Sequence, residues 1–269
     1  MDDRYGFETI LTELEDGILR VTLNRPDRMN ALNKKMHVEL RSLYERIAHD
    51  DDVRVVVITG AGRAFCVGAD FQQMQDNLAA GGYPDGRPDM LGDGADIARG
   101  ILRVRQPMIS LVNGHALGLG ATLALFCDVV FISSTAKIGD PHVAAGLVAG
   151  DGGVVLWPLL LGINRAKEYL MTGELLSAQE ADRLGLVNHV VEAEELEAAG
   201  MAMARQLASG PKHAIQFNKR LVNKQLEDQV SRIYDLALAM ECVTFETADH
   251  KEAVDAFLNK RQPVFGADA

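Results

Sequence analysis

Positive charge is scarce in this 269-residue chain, which carries 27 Lys and Arg against 38 Asp and Glu for a formal net charge of −11. Nucleic acids and anionic membranes both require a basic footprint, so neither is expected as a partner, while a local basic pocket for an anionic ligand stays open. Cysteine is scarce too. Cys66, Cys127 and Cys242 are odd in number and far apart, a pattern that supports neither a disulfide framework nor a metal site and suits a reducing compartment. No apolar run approaches a membrane span; the longest, around Val154 to Leu161, contains Pro158 and stops at Gly162. The start, Met1-Asp2-Asp3-Arg4, lacks the basic and apolar regions of a secretory signal. The expected location is cytoplasmic. Repeats and long linkers are also missing. With 48% hydrophobic and 24% charged residues, the chain suits one large domain, or one domain with a small helical appendage.

What is present alternates between strand and helix patterns, so the fold class is α/β. Thr9 to Glu15 and Gly17 to Asn24 alternate around an Asp16-Gly17 turn and predict a hairpin. Asn33 is placed to cap a helix reaching about His49, with Met36, Leu40, Leu43 and Ile47 on its apolar stripe. Val53 to Thr59, Met108 to Val112 and Val129 to Ile132 are near-continuous β-branched or apolar runs, the pattern of strands buried on both faces. Helical sequence separates them, which predicts a repeated β–β–α unit. Gly81 to Gly94, rich in Gly, Pro and Asp, predicts a mobile loop over a site. Beyond Gly152 the pattern turns helical: Ser177 and Glu180 form a capping box, and Pro211 suits a helix start.

Two stretches carry the chemistry. Ala64 to Asp70 follows the strand ending at Thr59, and Asn113 to Gly120 follows the strand ending at Val112. Each joins a buried strand to a helix start, where free N–H groups and the helix dipole favour negative charge and glycine permits close approach. Either stretch alone is more simply a tight strand–helix turn. A dinucleotide site fails at Gly118-Leu119-Gly120, because Leu123 stands where the third glycine belongs and no acidic residue ends a following strand.

Together these stretches resemble the crotonase (enoyl-CoA hydratase/isomerase) superfamily. The resemblance extends over most of the chain: Asn24-Arg25-Pro26 with Asn30-Ala31-Leu32, Val55 to Asp70, Ala116 to Asp128, Gly146 to Gly162, and the tail Ala256 to Arg261 with Pro263 and Phe265. It implies a crotonase-like repeated ββα spiral over residues 1–200 and a C-terminal helical trimerisation layer over 201–269. It also implies a homo-trimer or dimer of trimers, and an acyl-CoA substrate with coenzyme A as part of that substrate and no separate cofactor or metal. By the same resemblance the oxyanion donors are the amides of Ala69 and Leu119, flanked by Gly68 and Gly118. Arg28, Arg63 and Lys260 are expected to meet the phosphates of coenzyme A. Asp70 belongs to the first motif, with capping of the next helix as its simpler role.

The likeness breaks where hydratases carry two glutamates: Thr122 and His142 stand at those positions, so fast hydration of crotonyl-CoA is not expected. Asp140-Pro141-His142 and Asp151 remain nearby. The expected working pair is His142, titrating near neutrality, with Asp151 ionised; the bland alternative is a satisfied site-lining histidine and a turn aspartate. His142, Asp151, the Trp157 to Gly162 run, His37 and Glu241 also resemble 6-oxocamphor hydrolase, a crotonase relative that cleaves a carbon–carbon bond, with His37 and Glu241 as secondary candidates. The competing readings are therefore an acyl-CoA isomerase, lyase or hydratase-like enzyme, a retro-Claisen hydrolase of a β-diketone or β-keto ester, and a non-catalytic acyl-CoA-binding protein.

Overall fold

The computed structural model describes residues 3–80 and 93–266. The loop expected at 81–94 therefore falls almost wholly outside the described residues, and a helix already begins at Asp93.

The chain builds four consecutive β–β–α units. They are β1 (Ile10–Glu15), β2 (Ile18–Leu23) and α1 (Lys34–His49); then β3 (Val55–Gly60), β4 (Ala64–Cys66) and α2 (Phe71–Ala79), followed by α3 (Asp93–Arg103). Next come β5 (Met108–Val112), β6 (His115–Leu117) and α4 (Leu119–Leu125), then β7 (Val129–Ser133), β8 (Lys137–Gly139) and α5 (Gly153–Leu161). From the second unit on, each unit gives its first strand to one sheet and its second to another. The larger sheet runs β1-β2-β3-β5-β7-β10 and the smaller β4-β6-β8-β9, where β9 is Leu176–Ser177 and β10 is His189–Val191. Pairing is parallel except in β1–β2 and β8–β9. This is the α/β spiral expected from the sequence.

Local chemistry accounts for the elements. Asp16 and Gly17 both take positive φ, at 50° and 77°, as the tightest hairpin turn requires. Asn33 caps α1 by accepting from Met36 N; beyond α6 (Ile163–Thr172), Ser177 caps α7 (Ala178–Leu184) by accepting from Glu180 N. All of β3 is buried. One of its faces packs in the main core with Val56, Ile58, Leu40 and Leu43; the other packs with Val55, Val57, Leu111 and Ala204. Ala204 belongs to α8 (Leu196–Ser209), which lies across β2, β3, β5 and β7. The expected division at residue 200 thus falls inside a helix of the core, and the C-terminal layer begins after it. That layer holds α9 (Lys212–Gln229), a π-helical turn Val230–Tyr234, α10 (Asp235–Phe245) and α11 (Ala248–Leu258). No helix among the described residues is long and apolar enough to cross a membrane.

One buried side chain locks the first motif in place. Asn30 is fully buried, and its Nδ2 donates to the carbonyls of Ala61, Ala64 and Phe65. Its Oδ1 accepts from Arg25 N at 2.9 Å, while the Arg25 guanidinium reaches Asp70 at 2.9 Å. Asn30→Ala strands buried carbonyls around β4 and is expected to cost on the order of 3 kcal/mol, read by chemical denaturation. Arg28→Ala, on the same loop but exposed, is expected to leave the midpoint unchanged.

Candidate active site

β4 and β6 pair in parallel through Ala64–His115 and Cys66–Ala116, so the turns that follow them lie side by side. Gly68, at φ 84°, approaches Leu117 so closely that an added Cβ would stand 2.9 Å from the Leu117 carbonyl oxygen. Leu119 is the first residue of α4, where an N–H has no helical acceptor. Neither its amide nor that of Ala69 donates a hydrogen bond to another described residue. Asp70 caps α2 by accepting from Gln72 N and pairs with Arg25, so its contacts are structural.

Against the second turn lies His142. A Cβ on Gly118 would meet the imidazole Cε1 at 3.3 Å. The ring is clasped from both ends: Nδ1 is 2.5 Å from Asp140 Oδ1, and Nε2 is 3.3 Å from Asp151 Oδ2. Asp151 Oδ1 accepts from the Thr122 hydroxyl at 3.4 Å, and Tyr234, from the π-helical turn, donates to the Asp151 carbonyl at 3.4 Å. Glu241 of α10 completes the cluster, with Oε1 at 3.9 Å from Nε2. Asp140, Asp151 and Glu241 are at most 2% exposed. Crowding of this degree requires bare backbone beside it, for a Cβ on Gly153 would strike Asp140 Oδ2 at 2.1 Å.

Burial by itself would lower the pKa of His142. The charges of Asp140 and Asp151 outweigh it and hold the imidazole well above its ordinary value. This corrects the expectation of titration near neutrality: the sequence reading paired His142 with one aspartate, and the structure supplies two. Burial, followed by the charge of Asp151, pushes the Glu241 carboxyl well above the usual range. Asp140, His142 and Asp151 each present one ligand-type atom within 4.8 Å of the others. The same three residues can equally be read as an imidazolium held between two acids.

The structure thus brings together His142, Asp151, Thr122, Glu241 and the Ala69 and Leu119 turns. His37 sits on α1, which packs on α3 and β1, and is not among the residues meeting around His142. Arg28, Arg63 and Lys260 are exposed, and none makes an ion pair among the described residues. Asp140 was missed as a site residue, although its place two residues before His142 was a usable signal.

A model of the enoyl-CoA hydratase/isomerase family matches residues 13–268. The 1,2-epoxyphenylacetyl-CoA isomerase of Escherichia coli (strain K12) is 34% identical, over 96% of this chain and 98% of its own. The crotonyl-CoA hydratase of Syntrophomonas wolfei is 35% identical, over 97% and 98%. A crystal structure of an enoyl-CoA hydratase/isomerase from Mycobacterium paratuberculosis superposes with a TM-score of 0.88 at 40% identity, covering 93% of this chain and 99% of that one. With the spiral of β–β–α units and the paired strand–helix turns, these matches carry one conclusion: the chain belongs to the enoyl-CoA hydratase/isomerase family of the crotonase superfamily.

Proposed function

We propose that this protein moves a proton at the carbon beside the thioester of an acyl-CoA, holding the enolate oxygen with the amides of Ala69 and Leu119. The observation that carries the reading is the position of His142, against the turn bearing one unused amide and beside Asp151. Two amides with no other partner, on touching turns, suit an oxygen that gains charge in the transition state. Asp151 acts as base at the α-carbon. His142, held cationic, is the acid that returns a proton, and Asp140 fixes its orientation. Arg28, Arg63 and Lys260, exposed and without ion pairs among the described residues, suit the phosphates of coenzyme A, which enters as part of the substrate.

The names of the relatives span an isomerase and a hydratase. Isomerisation or lyase chemistry is favoured here, because Thr122 and His142 replace the paired carboxylates that would share an added water. A second reading is retro-Claisen cleavage of a β-diketone or β-keto ester, favoured by the presence of Glu241 at 3.9 Å from His142. A non-catalytic binder is disfavoured, since four ionisable groups are costly to bury and coenzyme A binding needs none of them.

Deuterium uptake at the α-carbon of butyryl-CoA, followed by mass spectrometry in deuterated water, tests the reading without the native substrate. Asp151→Asn is expected to keep the fold and lower the exchange rate ~10²- to 10⁴-fold; an unchanged rate would remove Asp151 from the mechanism. Leu119→Pro deletes one amide donor at a helix position that tolerates proline, and is expected to slow exchange ~10²- to 10³-fold.

The raised His142 pKa sets the pH dependence. A group whose folded pKa is raised stabilises the protein fully below its unfolded pKa, and that contribution is lost as pH rises through the folded value. The imidazolium therefore persists through neutrality. Exchange is expected to hold steady between about pH 6 and 8 and to fall at higher pH. Asp140→Asn should bring the fall to lower pH, and a wild-type rate already falling below neutrality would rule out His142 as the acid.

The chain is proposed to assemble as a trimer or dimer of trimers. Phe217, Leu221, Val222, Leu236, Met240 and Val243 leave an apolar surface exposed on α9 and α10. Sedimentation is expected to give a trimer or hexamer; a monomer at micromolar concentration would refute this.

A further inference from the structure

We infer that His250 is a positioning residue for His142, holding the turn that carries the imidazole by a single directional hydrogen bond. The inference rests on the reading of His142 as the acid. His142 to Ala145 form one 3-10 turn, closed by the bond from Leu147 N to the His142 carbonyl at 2.9 Å. From α11, fully buried His250 places Nδ1 2.8 Å from the Ala145 carbonyl. A carbonyl can only accept, so Nδ1 bears the proton and the ring is held in one tautomer. Its other nitrogen, Nε2, has no hydrogen-bond partner among the described residues, and the ring meets Phe245 edge-on at 5.0 Å. A second proton would find no acceptor there, and burial accordingly lowers the His250 pKa.

The turn is pressed on this helix: a Cβ on Gly146 would stand 2.8 Å from His250 N. Seven residues along from His250, Phe257 stacks on Phe71 of α2 at 4.2 Å, and Phe71 follows directly on the Ala69-Asp70 turn. α11 therefore ties the turn carrying the acid to the turn carrying an oxyanion donor. Sliding α11 would shift the two relative to each other, and the His250 bond fixes where the first of them sits. A displacement near 1 Å in such an arrangement can cost on the order of 100-fold in rate.

Three substitutions separate this role from simple filling of space. His250→Asn keeps a donor near the Nδ1 position, His250→Gln moves it towards the Nε2 position, and His250→Leu removes it. Two readouts are used: α-hydrogen exchange into butyryl-CoA, and the ring-nitrogen NMR shifts of His142, assigned by their absence in His142→Gln. The Gln and Leu variants are expected to lose exchange about 10- to 100-fold at nearly unchanged KM and to shift the His142 signals. His250→Asn is expected to restore most of the rate and return the signals towards wild type. The inference is overturned if Gln and Leu keep the wild-type rate and shifts, or if Asn is as impaired as Leu. Should His250→Leu fail to fold, the Asn and Gln pair still decides. A wild-type enzyme that exchanges no deuterium would refute the proposed chemistry, while the NMR shifts would still judge His250.

Discussion

The site depends on one imidazole placed among three buried carboxyl groups. Taking an ionised carboxylate out of water costs several kcal/mol, and Asp140, Asp151 and Glu241 all lie almost wholly inside. Such a cluster is tolerable only if protons are retained. His142 keeps its second proton because Asp140 and Asp151 flank its two nitrogens, and Glu241 is driven towards its neutral form by burial and by Asp151. The cluster is thus a proton store whose occupancy is set by geometry. In that state a protonated imidazole lies between two carboxyl groups, the reverse of a neutral histidine drawing on one carboxylate.

The architecture makes the cluster possible by drawing its members from different segments. Asp140 follows β8, Asp151 precedes α5, Thr122 belongs to α4, and Glu241 arrives on α10 from far along the chain. Because each β–β–α unit after the first divides its strands between two sheets, the turns after β4 and β6 are neighbours although about fifty residues separate them. The paired strand–helix turns and the buried ionisable cluster can therefore be assembled independently. The first depends on β4–β6 pairing and on Asn30; the second depends on the C-terminal helices closing over the turn at 142–147.

Much of this was legible in the sequence, and the division follows physical range. The Asp16-Gly17 hairpin, the Asn33 cap and the doubly buried β3 are local consequences of turn chemistry and patterning, and all stand in the structure. The two glycine-containing turns were legible for the same reason. Asp140 was within reach, two residues from His142, where a short turn brings its carboxyl to the ring. His250 was beyond local reading, since 108 residues separate it from His142 and a buried histidine on a helix has no distinguishing pattern. Residue 200 lies within α8, whose sequence is helical like the segments after it, and only its packing on β3 and β5 joins it to the core.

Thr122 and His142 are matched to the charges packed around them. Once carboxyl groups enter the cavity at 140, 151 and 241, a fourth at 142 would leave the cluster without its cation. The burial cost of the remaining acids would have to be met by protonating more of them, which would remove the base. A glutamate at 122 would likewise bring an acid to within contact of Asp151, where the Thr122 hydroxyl now offers a hydrogen bond instead. Threonine at one position and histidine at the other are the neutral and cationic choices that the three acids demand. A glutamate at either position alone therefore runs against the local electrostatics.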